Sequence, residues 1–197
     1  MKIVGLTGGI ATGKSTVSEM FRQRGAHIID ADLVSRDVVK PGKRAWKKVV
    51  RVFGAAVLSD SGEIDRDKLG RIVFQDGQAR MKLNRATHPY ISMAILGQIL
   101  RHFLRGVRLV ILDAALLLET QTRLFARTVI VVYTDSETQV RRLVARNAYS
   151  REEAMQRISA QMPLEEKCRV ATYVIDNSAS IAHTQEQVDR IWRELSR

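Results

Sequence analysis

The chain has 197 residues, 45% of them hydrophobic and 27% charged, with a formal net charge of +11. That length and apolar content suit one sizeable folded domain and exclude a disordered chain. The single cysteine, Cys168, excludes an intrachain disulfide and any multi-cysteine metal site, and reads as a small, partly buried residue.

Lys2 to Leu6 reads as a short buried strand, Gly8 to Gly13 as a loop, and Ser15 to Arg24 as a helix with Val17, Met20 and Phe21 at helical spacing, ended by Gly25. The opening apolar run is too short for a signal peptide. Ala26-His27-Ile28-Ile29 is a second strand, closing on Asp30-Ala31-Asp32. Strand, loop, helix and strand in this order form a βαβ unit, which implies a parallel sheet. Between Arg36 and Arg51 lie Arg36, Lys40, Lys43, Arg44, Lys47, Lys48 and Arg51 against one acid, Asp37. That bias favours a polyanionic ligand, either nucleic acid or a nucleotide with a phosphorylated small molecule. Pro41-Gly42 breaks the chain, Ala45 to Phe53 is a basic amphipathic helix, and Ser59 to Gly62 is a turn. Ile64-Asp65-Arg66-Asp67 opens a helix through Phe74. A long helical stretch from about Arg80 to Arg105 follows, bent or restarted at His88-Pro89.

Val107 to Leu112 is the third and most apolar strand, ending at Asp113. The apolar stretch around it, Leu109 to Leu118, is about half a membrane span, so no spanning helix is expected. Thr128 to Tyr133 is a β-branched fourth strand. A helix over Ser136 to Arg146 follows, then a helix capped by Ser150 with Glu153 three residues on. Tyr173-Val174-Ile175 is a fifth strand, ending in Asp176-Asn177-Ser178, and Thr184 to Leu195 is a final amphipathic helix. The expected fold is therefore α/β, with five strands alternating with helices. Residues 62–105 read as a helical insertion, and residues 1–61 with 106–197 as the core.

Gly8-Gly9-Ile10-Ala11-Thr12-Gly13-Lys14-Ser15 fits G-x-x-x-x-G-K-[ST], after a strand and opening a helix. Glycines let backbone amides approach phosphate oxygens, and the helix adds its positive end. Lys14 reaches the β- and γ-phosphates, and the Ser15 hydroxyl helps hold Mg²⁺. No Asn-Lys-x-Asp signature of a guanine switch occurs. A kinase needs a carboxylate for the acceptor hydroxyl, and Asp30 and Asp32 lie at the carboxyl end of the second strand, the ligand edge of a parallel sheet. Asp32, on the first turn of the next helix, is the better candidate for the base. Asp113, on the same edge, is placed to support Mg²⁺. Arg142 and Arg146, on one helix face, can stabilise phosphoryl charge.

Together these motifs resemble the dephospho-CoA kinase family. The run Gly5 to Val17 looks like its opening and Asp30-Ala31-Asp32 like its second signature. Pro41-Gly42, Phe53-Gly54, Ile64-Asp65-Arg66, Thr87-His88-Pro89, Gln139 to Arg146, Arg157-Ile158, Ala160-Gln161 and Val174 to Asn177 follow in the family's order. The resemblance implies a P-loop NTPase-type three-layer α/β/α core with a five-stranded parallel sheet, a helical substrate-binding insertion and a small lid over about residues 138–165. It implies ATP- and Mg²⁺-dependent phosphorylation of the ribose 3′-hydroxyl of dephospho-CoA. The roles implied are Asp32 as base, Lys14 on the transferring phosphate and Arg142 as lid arginine. Gly8, Gly9, Ile10, Ala11, Thr12, Gly13, Lys14, Ser15, Thr16, Arg146 and Asn177 would bind the nucleotide. Thr7, Arg36, His88, Leu116 and Glu119 would join Asp32 around the acceptor, and Ser15 and Asp113 would serve the metal. Three positions depart from the family's pattern: Ala115 stands for proline in Asp-x-Pro-Leu-Leu, Thr172 for an aspartate before the last strand, and Ala179 for a glycine.

A kinase of another small acceptor, such as a nucleoside or nucleotide, is the alternative within the same chemistry. A nucleotide- or nucleic-acid-binding module without transfer activity is the alternative outside it. Aromatics at 6%, no zinc spacing and no RNP-like segment supply few base-stacking platforms, so nucleic acid is not expected as partner. A soluble cytoplasmic protein is expected, an organelle address not being excluded. The sequence carries no signal for oligomeric state.

Overall fold

The computed structural model describes residues 1–196. Among them five strands form one parallel sheet: β1 (Lys2–Gly8), β2 (His27–Asp30), β3 (Leu109–Asp113), β4 (Thr128–Tyr133) and β5 (Tyr173–Asp176). The strand order is β2-β3-β1-β4-β5, with Leu6 opposite Asp113 and Asp30 opposite Asp113 in the register. β1 is therefore central, and the β3-to-β4 connection passes across it. The carboxyl ends of the strands on both sides of β1 open on one edge, where α/β sheets bind ligands.

Parallel strands buried on both faces read as unbroken apolar runs, and Val129, Ile130, Val131 and Val132 are all fully buried. On one face Val4, Leu6, Leu109, Ile111, Ile130, Val132 and Ile175 pack with Val17, Met20 and Phe21 of α1 (Lys14–Gln23). Val188, Ile191 and Leu195 of the C-terminal helix (Ile181–Leu195) complete that core. On the other face Gly5 leaves room for the Leu117 side chain; a methyl group there would lie 2.4 Å from Leu117 Cδ2. The sheet belongs to a compact unit of residues 1–30 with 101–196.

Residues 31–100 form a second compact unit. It contains α2 (Ala31–Val38), α3 (Arg44–Phe53), α4 (Arg66–Gln75) and most of α5 (Gly77–Leu104). Val49, Val57, Leu69 and Ala86 are its buried core, with Phe53, Ile64, Val73 and Leu83 against them. Because Val49 and Phe53 of α3 share that core, the helical unit begins at Ala31, before the basic segment, rather than at residue 62. Asp65 caps α4 by accepting from Asp67 N and Lys68 N, and Trp46 Nε1 donates to Gly62 O at 3.0 Å.

α5 runs 28 residues with Pro89 inside it, so the helix does not restart at His88-Pro89. An interior proline costs about 3 kcal/mol. Burial of Ala86, Thr87, Ile95 and Ile99 along the same helix offsets that, and Thr87 Oγ1 donates to Leu83 O at 2.9 Å. No helix among the described residues is long and apolar enough to cross a membrane.

Beyond β4 come α6 (Ser136–Asn147), α7 (Arg151–Ser159) and a short α8 (Leu164–Arg169), the last without a signal in the periodicity. Ser150 and Glu153 make the reciprocal capping box expected of them. α6 ends on Ala148 with φ 54°, in the left-handed region where a Cβ is strained. Ala148→Gly is expected to stabilise the fold by about 1 kcal/mol and raise the melting temperature by roughly 3 °C, as differential scanning calorimetry would read it.

Candidate active site

The loop between β1 and α1 turns tightly because Gly13 sits at φ 84° and Ala11 at φ 60°. Gly13 admits no side chain: a Cβ would stand 2.2 Å from Asn177 Nδ2. At Gly8 a Cβ would meet Val132 O at 2.8 Å, so the chain leaves the sheet in contact with its neighbour strand. Gly13, Lys14 and Ser15 begin α1, where N–H groups have no partner within the helix and point outward with its positive end.

A loop that turns its N–H groups outward turns its C=O groups back into the protein, where each needs a donor. Every carbonyl from Gly8 to Thr12 has one. Lys167 Nζ donates to Gly8 O at 3.2 Å, and Thr12 Oγ1 to Gly9 O at 3.0 Å. Gln139 Nε2 donates to Ile10 O at 2.7 Å, Arg142 Nη1 to Ala11 O at 3.5 Å, and Asn177 Nδ2 to Thr12 O at 2.8 Å. Gln161 Oε1 accepts from Ile10 N at 2.8 Å. α6, the segment around α8 and the end of β5 thus hold the loop from behind.

Lys14 Nζ donates to Asp113 Oδ1. The two meet because Asp113 ends β3 beside β1, and Ala114 N continues the pairing to Leu6 O at 3.0 Å. Asp113 is only 5% exposed. Burial pushes its carboxyl above the usual carboxylate range, against the pull of Lys14 and a hydrogen bond with Ser18. Ser15, one residue past Lys14, is exposed. These two oxygen donors suit a hard cation such as Mg²⁺. No group of three or more His, Cys, Asp or Glu able to hold a metal occurs among the described residues. A cation here therefore needs phosphate oxygens and water to complete its coordination.

The other residues singled out by sequence lie around this loop or in the helical unit. Arg142 lies on the loop and also donates through Nη2 to Asn177 O at 2.9 Å, whereas Arg146 points to Asn147 Oδ1. The Asn177 amide is committed to Thr12 O and, through Oδ1, to Thr184 Oγ1 at 2.8 Å, so it buttresses the loop. Thr7 Oγ1 donates to Ala115 O at 3.1 Å, Glu119 Oε1 lies 2.9 Å from Lys167 Nζ, and Leu116 is 45% exposed. The carbonyl of Ala115 is held by Thr7 and Lys167 where the family pattern uses a proline ring.

In the helical unit, Asp32 is exposed on the first turn of α2. Arg36 and His88 line a cavity of about 360 Å³ with Lys40 and Arg66, against Val39, Val49, Leu69, Leu83 and Ile91. Cationic groups beside an apolar wall can take an anionic ligand with an aliphatic arm. Arg66, Gln139 and Gln161 fall in stretches that follow the family's order, but that order assigns them none of these contacts. Lys40 is signalled only by the basic excess around it, and Lys167 by nothing in the sequence.

Comparison with known proteins gives concordant results. The family model described as "Dephospho-CoA kinase" (CoaE) matches residues 2–183. A "Dephospho-CoA kinase domain-containing protein" of Danio rerio is 52% identical over 99% of this chain and 86% of its own length. A dephospho-CoA kinase of Arabidopsis thaliana is 44% identical over 100% of this chain and 85% of its own. The solved structure of a dephospho-CoA kinase from Campylobacter jejuni superposes with a TM-score of 0.73 at 30% identity, covering 100% of this chain and 98% of that one.

The raised Asp113 carboxyl makes its ionised form a net cost to folding, one that grows as pH rises through the ordinary carboxylate range and fades as pH falls below it. Asp113→Asn keeps an oxygen for Lys14 and removes that cost. Its stability relative to wild type is therefore expected to be highest at neutral pH and to decline toward pH 4 in urea titrations, while turnover drops.

Proposed function

The chain belongs to the dephospho-CoA kinase family, and from that premise we propose how its residues transfer the γ-phosphoryl group of ATP to the ribose 3′-hydroxyl of dephospho-CoA. The observation that carries the proposal is the loop over Gly8 to Ser15, whose carbonyls from Gly8 to Thr12 are engaged from behind and whose helix-starting amides remain for phosphate.

In this reading the stretch from Gly8 to Thr16 cradles the nucleotide, with the amides of Gly13, Lys14 and Ser15 and the Lys14 ammonium on the β- and γ-phosphates of ATP. Phosphate oxygens compete with Asp113 for Lys14. Asp113 and Ser15 then support Mg²⁺, which neutralises charge on the phosphate oxygens when bound. Arg142, which rests on the Asn177 and Ala11 carbonyls, is in this reading the arginine that meets charge developing on the transferred group. Residues 138–165, with Arg146, act as the lid, and the loop after Asn177 receives the adenine.

Asp32 orients the acceptor hydroxyl and takes its proton as the oxygen attacks phosphorus. Arg36 and His88, with Lys40 and Arg66, receive the pyrophosphate of the acceptor, and the apolar wall of their cavity receives its pantetheine arm. Thr7, Leu116 and Glu119 complete the acceptor side. The +11 charge suits two polyanionic substrates and raises their encounter rate.

Mass spectrometry of a reaction holding ATP, Mg²⁺ and dephospho-CoA is expected to show coenzyme A. Turnover of a nucleoside with none of dephospho-CoA would reject the reading. Asp32→Asn should leave ATP affinity nearly intact and lower kcat by roughly 100-fold. Unchanged turnover would remove Asp32 from the role of base. Lys14→Ala, by contrast, should weaken both nucleotide affinity, read by titration calorimetry, and rate.

A further inference from the structure

Lys167 is a fully buried lysine: its side chain has 0% exposure. An ammonium has three protons to donate and tolerates burial only when they are all used. Here the three acceptors are Glu119 Oε1 at 2.9 Å, Gly8 O at 3.2 Å and Ala115 O at 3.3 Å. They come from two separate segments. Gly8 opens the phosphate-binding loop, while Ala115 and Glu119 belong to the stretch that follows Asp113.

The same two segments are already stitched at their bases. Ala114 N donates to Leu6 O at 3.0 Å, and Thr7 Oγ1 donates to Ala115 O at 3.1 Å. Of these three stitches, Lys167 is the one that reaches the first glycine. A buried ion pair contributes little to stability compared with well-packed apolar side chains of similar size, so stability does not account for a charge at this point. What an ammonium provides, and a methyl group does not, is a fixed distance between three acceptors.

We propose that Lys167 is a positioning residue for phosphoryl transfer, fixing the segment from Ala115 to Glu119 against the start of the phosphate-binding loop. It touches neither nucleotide nor acceptor. It sets the spacing between the groups that do: the loop amides and Lys14 on one side, Asp113 and the residues after it on the other. An error of about 1 Å in such a spacing costs on the order of 100-fold in rate. The inference rests on the kinase reading, and wild-type turnover of dephospho-CoA tests that reading separately.

Two variants test it. Lys167→Met keeps the length of the chain and removes the charge and all three donors. Lys167→Gln retains an amide that can serve two of the three acceptors. Both are assayed well below their melting temperatures, and the binding of a non-hydrolysable ATP analogue is measured beside kcat. The expected result is analogue affinity within about threefold of wild type, kcat lowered about 100-fold in Lys167→Met, and an intermediate loss in Lys167→Gln. A purely architectural role would lower the melting temperature and leave kcat per folded molecule unchanged. That outcome in Lys167→Met overturns the proposal. Should Lys167→Met fail to fold, wild-type kcat in Lys167→Gln overturns it equally.

Discussion

A loop that gives its N–H groups to a ligand must dispose of its C=O groups. This constraint organises the sheet unit more than any single contact does. The carbonyls between Gly8 and Thr12 are taken up by side chains of Lys167, Thr12, Gln139, Arg142 and Asn177. Four of the five stand on elements that follow β4. The order β2-β3-β1-β4-β5 makes this possible, because it sets the loop after β1 beside the ends of β4 and β5. The phosphate site is thus a property of the parallel sheet's edge, and the glycine-rich stretch is its visible half.

That half is legible in the sequence because its requirements are local. Positive φ at Gly13 and close approach at Gly8 demand particular residues at particular places, and the motif states them outright. The strands are legible for a similar reason: β-branched runs of four to seven residues bounded by turn residues have few other uses. The end of β3 at Asp113 and the capping box at Ser150 are readable on the same local terms.

What stays hidden is whatever depends on distant partners. Gln139 and Gln161 stand in stretches that follow the family's order with no contact attached to them, Lys167 looks like an ordinary polar residue, and only the folded chain shows Lys167 with no exposure and Gln139 at 3%. By resemblance Asn177 stands near the adenine, yet its amide turns to the loop backbone. Pro89 suggests a bend or a restart, because a local rule with a cost of about 3 kcal/mol predicts one, but burial along 28 residues keeps the helix from restarting there. The boundary of the helical unit falls at Ala31 for the same kind of reason, since a shared core and not composition decides which helices belong together.

Asn177 lies 165 positions after Thr12, and Lys167 lies 159 after Gly8. During synthesis the glycine-rich loop therefore emerges well before the residues that support its backbone. Until β5 docks on the sheet's edge, Thr12 O lacks its donor Asn177, and the support of the loop is incomplete at its helix end. Contacts so far apart in the chain are slow to form. Docking of the last strand thus completes the support of the loop, and a nucleotide that binds the completed loop would favour that docking by mass action.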